Sequence, residues 1–292
     1  MGGLGHASGS ELGGANLTQP ADRTAPQAVP SAVNEELAKV GLAPAPSENP
    51  VGISLVIPAF NEERRLATTL VGAWDYLKGA FSSYEILLID DGSTDATADL
   101  GYQFTRLNPA IRVLRTGRNR GKGAAVRLGV TNARGRLLLY ADADGASRID
   151  HLARLLAAVD EGADVAVGSR ALTAPGTRVR KLWHRHAVGR IFNFLANLLA
   201  APGIRDTQCG FKLFRAEAAR AIFARQAIDG YAFDVEILML AFQLGHRVVE
   251  VPIDWTHIPG SKVRLWRDPP RMLLDLFRIA LRRSLGARGD GR

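Results

Sequence analysis

Residues 84–95 read Tyr84-Glu85-Ile86-Leu87-Leu88-Ile89-Asp90-Asp91-Gly92-Ser93-Thr94-Asp95. An apolar run of strand length stops abruptly on two adjacent carboxylates and a glycine. Continuous rather than alternating aliphatic residues mark a strand buried on both faces. The same unit recurs on either side. Upstream, Ile53 to Ile57 is a β-branched and aliphatic run, followed by Pro58-Ala59-Phe60-Asn61 and a helical stretch from Glu62 to Leu77. Downstream come a helix, a strand at Ile111 to Leu114, a helix over Lys122 to Ala133 and a strand at Leu137 to Tyr140. A helix over Ile149 to Glu161 and a strand at Val165 to Val167 continue the series. This alternation predicts an α/β fold, a mainly parallel sheet with helices on both faces. Such sheets gather ligands at the carboxyl ends of their strands, and the polar motifs described below fall there.

After Arg170 the pattern loosens into a basic loop, a helix from about Arg185 to Leu199, the segment Asp206 to Phe214 and a strand at Val248 to Ile253. No internal repeat is visible. Residues 1–50 are rich in Gly, Ala, Pro and Ser and read as a disordered tail. The expected division is that tail, an α/β domain over 51–268, and a basic amphipathic helix with a short tail over 269–292.

The 292 residues are 47% hydrophobic and 23% charged, ordinary for a chain with a sizeable core. A formal net charge of +8 favours an anionic partner: nucleic acid, an anionic membrane surface or a phosphorylated substrate. The single cysteine, Cys209, leaves no intrachain disulfide and suits a reducing compartment. It reads as a packed small hydrophobe rather than a nucleophile. No apolar run reaches the roughly 20 residues a spanning helix needs, and the N-terminus lacks the features of a signal peptide. A cytoplasmic protein, soluble or peripheral, is expected, and the Asn16-Leu17-Thr18 sequon is then accidental.

Three constellations carry chemistry. Asp90-Asp91-Gly92-Ser93-Thr94-Asp95 supplies a strand-to-helix turn, with Gly92 bending and Ser93 or Asp95 capping. Two adjacent carboxylates at a strand end also repel, and need an outside partner. Asp91 can accept hydrogen bonds from a base N–H or a ribose hydroxyl. Asp142-Ala143-Asp144 follows the apolar run Leu137 to Ala141. Carboxylates two apart in a non-helical segment can converge on a hard cation, magnesium or manganese, that bridges substrate phosphates. Gly117 to Gly123 sets Arg118, Arg120 and Lys122 among three glycines. It is neither a Walker loop nor a dinucleotide fingerprint, and an ordinary basic turn stands level with a phosphate contact. His184, His186, His246 and His257 have no metal-ligand spacing.

In order, Val56-Ile57-Pro58-Ala59-Phe60-Asn61-Glu62-Glu63, DDGSTD, Asn119-Arg120-Gly121-Lys122-Gly123, ADADGAS and Gly168-Ser169-Arg170 resemble family 2 glycosyltransferases. The segments DTQCGFKLF (206–214) and Phe233-Asp234-Val235-Glu236 look like the dolichyl-phosphate β-glucosyltransferase branch, with dolichyl-phosphate mannose synthases as cousins. The resemblance spans about residues 52–284. It implies a GT-A fold and a nucleotide-sugar donor bound by Pro58, Ala59, Phe60, Asn61, Glu62, Asp91, Lys122 and Asp142. Phe60 would lie near the base, Glu62 and Asp91 at base or ribose, and Asp142 and Asp144 would manage Mg2+ or Mn2+ and the diphosphate. Arg170 matches an arginine near the phosphates, and Arg185 or Arg190 would add a second contact to the acceptor phosphate. Mannose synthases often carry a polar residue two after the second aspartate. Ala146 stands there, which leans toward the glucosyl branch. Many eukaryotic members carry an N-terminal membrane anchor that is not seen here.

A membrane contact has another source. The segment PPRMLLDLFRIALRRSL from Pro269 has Met272, Leu273, Leu276, Ile279 and Ala280 at helical spacing with Arg271, Arg278, Arg282 and Arg283. A basic amphipathic helix suits an anionic membrane surface, as a terminal helix packed on the domain equally would.

The resulting expectation is an inverting hexosyltransferase. It would move glucose from UDP-glucose to a polyprenyl phosphate in one in-line displacement, with Asp142, Asp144, Arg170 and Asp234 as catalytic candidates. The metal would stabilise charge on the departing diphosphate. A phosphate acceptor is already anionic, so no general base is needed; a saccharide hydroxyl acceptor would need one, and Asp234 leads. Mannosyl transfer from GDP-mannose is the other alternative. A phosphatase-like use of Asp142 as nucleophile fits poorly, because three strand–helix units precede it. A nucleic-acid-binding module leaves the strand-end carboxylates unexplained, so no nucleic-acid partner is expected. No protein partner can be read.

Overall fold

The computed structural model describes residues 51–172, 179–180, 201, 203–256 and 268–289. The expected tail over 1–50, the helix over 185–199, Arg185, Arg190, His184, His186 and His257 lie outside the described residues. The strands are Ile53–Ala59 (β1), Tyr84–Asp90 (β2), Ile111–Arg115 (β3), Leu137–Ala141 (β4), Val165–Ser169 (β5), Val179–Arg180 (β6), Phe211–Arg215 (β7), Val248–Pro252 (β8) and Trp255–Thr256 (β9). The α-helices are Leu66–Ala80 (α1), Thr97–Leu107 (α2), Lys122–Asn132 (α3), Leu152–Asp160 (α4), Ala216–Phe223 (α5), Phe233–Gln243 (α6) and Asp268–Gly289 (α7).

Seven strands form one sheet in the order β3-β2-β1-β4-β7-β5-β8. β1 pairs in parallel with β2 and β4, β2 with β3, and β5 with β8. β7 runs antiparallel between β4 and β5. Residues alternate between two cores, as the twofold period of a strand requires. Val56, Leu87, Tyr140 and Phe214 face α3, α5, α6 and α7. Leu55, Leu88, Leu139 and Leu213 face α1, α2 and α4. The expected sheet with helices on both faces is therefore present, with one antiparallel insertion that the alternation did not announce.

α1 begins at Leu66, four residues later than the helical periodicity suggests. Asn61 holds a left-handed φ of 55°, which a helix cannot include and which asparagine tolerates better than most residues. Its backbone N–H donates to Ser93 Oγ at 2.9 Å, and its Oδ1 accepts from the Thr94 N–H at 2.9 Å. Residues 61–65 are thereby pinned as a turn against the end of β2.

The C-terminal helix departs from its expected face. Leu276 and Ile279 are buried and Met272 packs beside them. Leu273, grouped with them by helical spacing in the sequence, is exposed with Leu274, Phe277 and Leu281. Leu273, Phe277 and Leu281 are four apart and form a second apolar stripe, so the helix both packs on the domain and presents apolar surface outward.

α3 approaches β1 closely at Gly129, where a Cβ would overlap Val56 Cγ1. That approach sets the height of Lys122 above the sheet. Gly129→Ala is expected to cost about 1–3 kcal/mol through overpacking, read as a lower urea midpoint. An unchanged midpoint would show that the contact is not tight.

Candidate active site

Because β1, β2 and β4 are parallel neighbours, their polar sequels emerge at one edge of the sheet. Ala59 lies opposite Asp90 in the ladder and Val56 opposite Tyr140. Asp90 is fully buried and structural: its Oδ1 accepts from the Ser93 N–H at 3.1 Å. Arg115 Nε stands 2.9 Å from its other oxygen, off the line of a hydrogen bond.

Asp91, also buried, is clamped by the basic loop. Its Oδ1 accepts from the Arg120 N–H at 2.9 Å and its Oδ2 from the Gly121 N–H at 2.7 Å. The amides of Gly123 and Ala124, in the first turn of α3, donate to the Asp229 carbonyl at 2.8 and 3.3 Å. Gly121 has a φ of 111°, and a Cβ there would overlap the same carbonyl; one at Gly123 would strike the Ile228 carbonyl and Phe233. These glycines are explained by packing. The amides of Arg120, Gly121, Gly123 and Ala124 are thus engaged inside the protein, and the loop also carries the Lys122 side chain, flanked by exposed Arg118 and Arg120.

Lys122 joins the two acidic motifs. One residue after the amide that holds Asp91, its ammonium reaches Asp142 Oδ1 at 2.8 Å and lies 4.0 Å from Asp234 Oδ2. It also sits 5.3 Å from the centre of the Tyr140 ring, in cation–π range. Burial alone would lower its pKa; the charges of Asp142 and Asp234 and the bond to Asp142 outweigh that and raise it, so it is a permanent cation.

The Asp142 amide donates to the Gly210 carbonyl at 3.1 Å, and its Oδ1 accepts from Tyr140 Oη at 3.2 Å. A Cβ at Gly210 would overlap every atom of this carboxylate. Asp144 is half-buried, and its Oδ1 accepts from the Ala146 N–H at 2.9 Å. Burial raises its pKa and Asp142 adds to this, against the Ala146 N–H and the charges of Arg65 and Lys122. Thr69 Oγ1 donates to the Ala143 carbonyl at 2.9 Å, fixing the turn between the two acids. No group of three or more His, Cys, Asp or Glu is placed to hold an ion among the described residues. Two oxygen-only carboxylates under mutual repulsion fit Mg2+ or Mn2+, which take one or two carboxylates and draw remaining ligands from substrate phosphate and water.

The other expected residues are placed as follows. Phe60 and Pro58 are half-buried and Ala59 is buried, all at the end of β1. The Glu62 carboxylate takes Arg65 Nε at 2.8 Å, which steadies the arginine whose charge Asp144 feels. Arg170 arrives already paired. Its Nε and Nη2 donate to the two oxygens of Asp206 at 2.7 and 2.8 Å, its backbone N–H to Oδ2 at 3.0 Å, and Trp255 lies 5.6 Å from it. The guanidinium holds the Asp206 carboxyl below its ordinary range despite burial. Asp234 is buried and ion-paired to Lys212. Burial pushes the Cys209 thiol up to about 12, with Asp206 adding to it, which fits the packed reading of that residue.

Lys212, Tyr140, Arg65 and Gly210 escaped the sequence reading. A lysine inside the apolar frame of Phe211-Lys212-Leu213-Phe214 was the available signal for the first.

The glycosyl transferase family 2 profile matches residues 54–223. A dolichyl-phosphate beta-glucosyltransferase of Drosophila melanogaster is 39% identical over 250 residues, 80% of this chain and 76% of the relative. The Homo sapiens protein of the same name is 36% identical over 249 residues, 80% and 76% of the two chains. The fold is similar to glucosyl-3-phosphoglycerate synthase of Mycobacterium tuberculosis in complex with Mn2+, UDP-glucose and phosphoglyceric acid. That match has a TM-score of 0.58 and 15% identity over 90% of this chain and 86% of the other. It is also similar to mannosyl-3-phosphoglycerate synthase of Rubrobacter xylanophilus, with a TM-score of 0.56 and 21% identity over 89% and 79%.

Gly210→Ala is the sharpest steric probe of this cleft. The added methyl must displace the Asp142 carboxylate, so divalent-cation-dependent nucleotide binding is expected to fall about tenfold or more while the circular-dichroism spectrum is kept. Unchanged nucleotide affinity would place the carboxylate's work elsewhere.

Proposed function

The chain belongs to glycosyl transferase family 2, is a glycosyltransferase and has the GT-A fold; from that premise we propose that it transfers glucose from UDP-glucose to a polyprenyl phosphate such as dolichyl phosphate, with inversion. The observation that carries the proposal is the joining of both strand-end acids by consecutive residues, Asp91 by Gly121 and Asp142 by Lys122. The names of the relatives supply the sugar and the acceptor. The complexes formed by the structural neighbour support a UDP-sugar with Mn2+ in a fold of this kind.

In this reading Pro58, Ala59, Phe60, Asn61 and Glu62 border the nucleoside, and Asp91 fixes the loop beside it. Asp142 and Asp144 hold Mg2+ or Mn2+, which neutralises charge on the leaving diphosphate. Lys122 supplies a fixed positive charge to the same diphosphate, and its raised pKa keeps that charge across the working range. Arg170, oriented by Asp206, faces the acceptor phosphate, with Arg185 or Arg190 as a second contact. A phosphate oxygen attacks without a base. Asp234 is poorly suited to deprotonate a hydroxyl acceptor, because its side chain is 3% exposed and tied to Lys212.

A lipid-linked acceptor places the reaction at a bilayer, here the cytoplasmic face. No helix among the described residues is long and apolar enough to cross a membrane. The outer stripe of α7, Leu273, Leu274, Phe277 and Leu281 with exposed Arg271 and Arg278, provides peripheral attachment to an anionic surface. Residues 51–268 form the catalytic unit and the helix its membrane-facing element.

Two measurements test the proposal. Offered UDP-glucose, UDP-galactose, UDP-N-acetylglucosamine or GDP-mannose with a polyprenyl phosphate and Mg2+ or Mn2+, the protein should label lipid from UDP-glucose, with loss on EDTA. Asp144→Asn should lower the rate by on the order of 100-fold. Labelling from GDP-mannose alone would overturn the donor, and no labelled lipid from any donor would overturn the acceptor. In co-sedimentation with phosphatidylserine vesicles, Leu274→Ser/Phe277→Ser should leave most protein in the supernatant. Wild-type sedimentation would remove the helix from the membrane contact.

A further inference from the structure

Lys212 lies on β7 with none of its surface exposed. Its ammonium donates to the Cys209 carbonyl at 2.7 Å and is ion-paired to Asp234 Oδ1. It is 5.8 Å from the centre of the Tyr140 ring and faces Tyr140 across the β4–β7 ladder. A lysine so enclosed cannot touch a substrate. Buried ion pairs seldom stabilise a fold more than apolar residues of the same size would, so stability alone gives no reason for this one beneath the site. What it provides is a carboxylate, Asp234, fixed in place with one oxygen held by Lys212 and the other turned toward Lys122.

Lys122 therefore has two anionic neighbours. Asp142, at 2.8 Å, has a side chain 34% exposed at the mouth of the cleft. Asp234, at 4.0 Å, has one 3% exposed at its floor. A divalent cation on the Asp142 carboxylate would repel the ammonium at contact distance and weaken its hold on Oδ1. Tyr140 lies under Lys122 and donates to Asp142, so the ammonium can slide over one ring face between the two acids.

We propose that Lys122 is an exchangeable counter-cation shared between Asp142 and Asp234, drawn toward Asp234 and the donor diphosphate when metal and nucleotide bind, with the buried Lys212–Asp234 pair as the positioning device that makes the second seat. The inference rests on the cleft accepting a nucleoside diphosphate with a divalent cation, and it is independent of the acceptor. Asp234 and Lys212 are then positioning residues, acting through Lys122. Metal and nucleotide binding are then coupled because both act on the same ammonium.

The test uses UDP and Mn2+ with the full chain, reading free Mn2+ by electron paramagnetic resonance and UDP affinity by calorimetry. Lys122→Gln should bind Mn2+ alone about fivefold more tightly and UDP in the presence of Mn2+ about tenfold more weakly. Opposite signs in one variant are what a merely structural lysine would not give. Unchanged or weaker Mn2+ binding overturns the exchange. Lys212→Met/Asp234→Asn removes the buried pair without changing net charge and should keep the melting temperature within a few degrees. Confining Lys122 to Asp142, it should weaken both Mn2+ and UDP binding about fivefold. Wild-type affinities in a folded double variant overturn the positioning role. Failure of the wild-type chain to bind UDP at all would instead sink the donor reading, and the exchange with it.

Discussion

The carboxylates that follow β2 and β4, the two strands flanking β1, come out at one edge of the sheet and are tied together by consecutive residues, Gly121 and Lys122. β2 ends on Asp90 with Asp91 directly after it, and β4 is followed by Asp142 and Asp144. The loop before α3 answers both pairs at once. Two backbone amides take Asp91, and the next side chain takes Asp142. A rigid link results between acids from two strands, and the cleft between them is built to hold cations. Asp144 keeps a raised pKa because burial and Asp142 still act on it. That residual strain in charge suits a site meant to receive a metal.

The link depends on close approach by backbone. Gly129 lets α3 lie against β1, Gly121 and Gly123 let the loop touch the Asp229 and Ile228 carbonyls, and Gly210 leaves room for Asp142. A side chain at any of them would have to push a neighbour aside, and at Gly210 that neighbour is the Asp142 carboxylate itself. Beneath them the Lys212–Asp234 pair puts a second, inaccessible set of charges under the cleft. Packing on the α6 and α7 side of the sheet thus serves electrostatics on its carboxyl edge, which is where a doubly covered parallel sheet places its ligands.

Much of this was legible in the sequence, for identifiable reasons. Ile86 to Ile89 and Leu137 to Tyr140 are short continuous apolar runs of the kind a doubly buried strand uses, and the acids that follow them mark its ligand-bearing end. Other features depend on partners remote in sequence. β7 is antiparallel because the chain returns through residues that carry no regular alternation, so the direction of Phe211–Arg215 could not be read locally. The pairing of Lys212 with Asp234 spans 22 positions. Asp91 was read as a ligand for a nucleoside, while its two oxygens accept amides 29 and 30 residues away. Helical spacing groups Leu273 with Leu276 and Ile279 because it cannot separate two apolar stripes. The packing of Leu276 and Ile279 on the core decides which one is inward. Arg170 showed its charge in sequence but not Asp206, its partner 36 residues on.

The central claim is that the acids after β2 and β4 form a single metal-dependent nucleotide site. Anomalous diffraction from crystals grown with Mn2+ and UDP tests it most directly. The account predicts a manganese peak within about 2–2.5 Å of a carboxylate oxygen of Asp142 or Asp144, with the diphosphate beside Lys122 and the uracil toward Phe60. A manganese peak on other carboxylates, or UDP bound away from the carboxyl edge of the sheet, would contradict it.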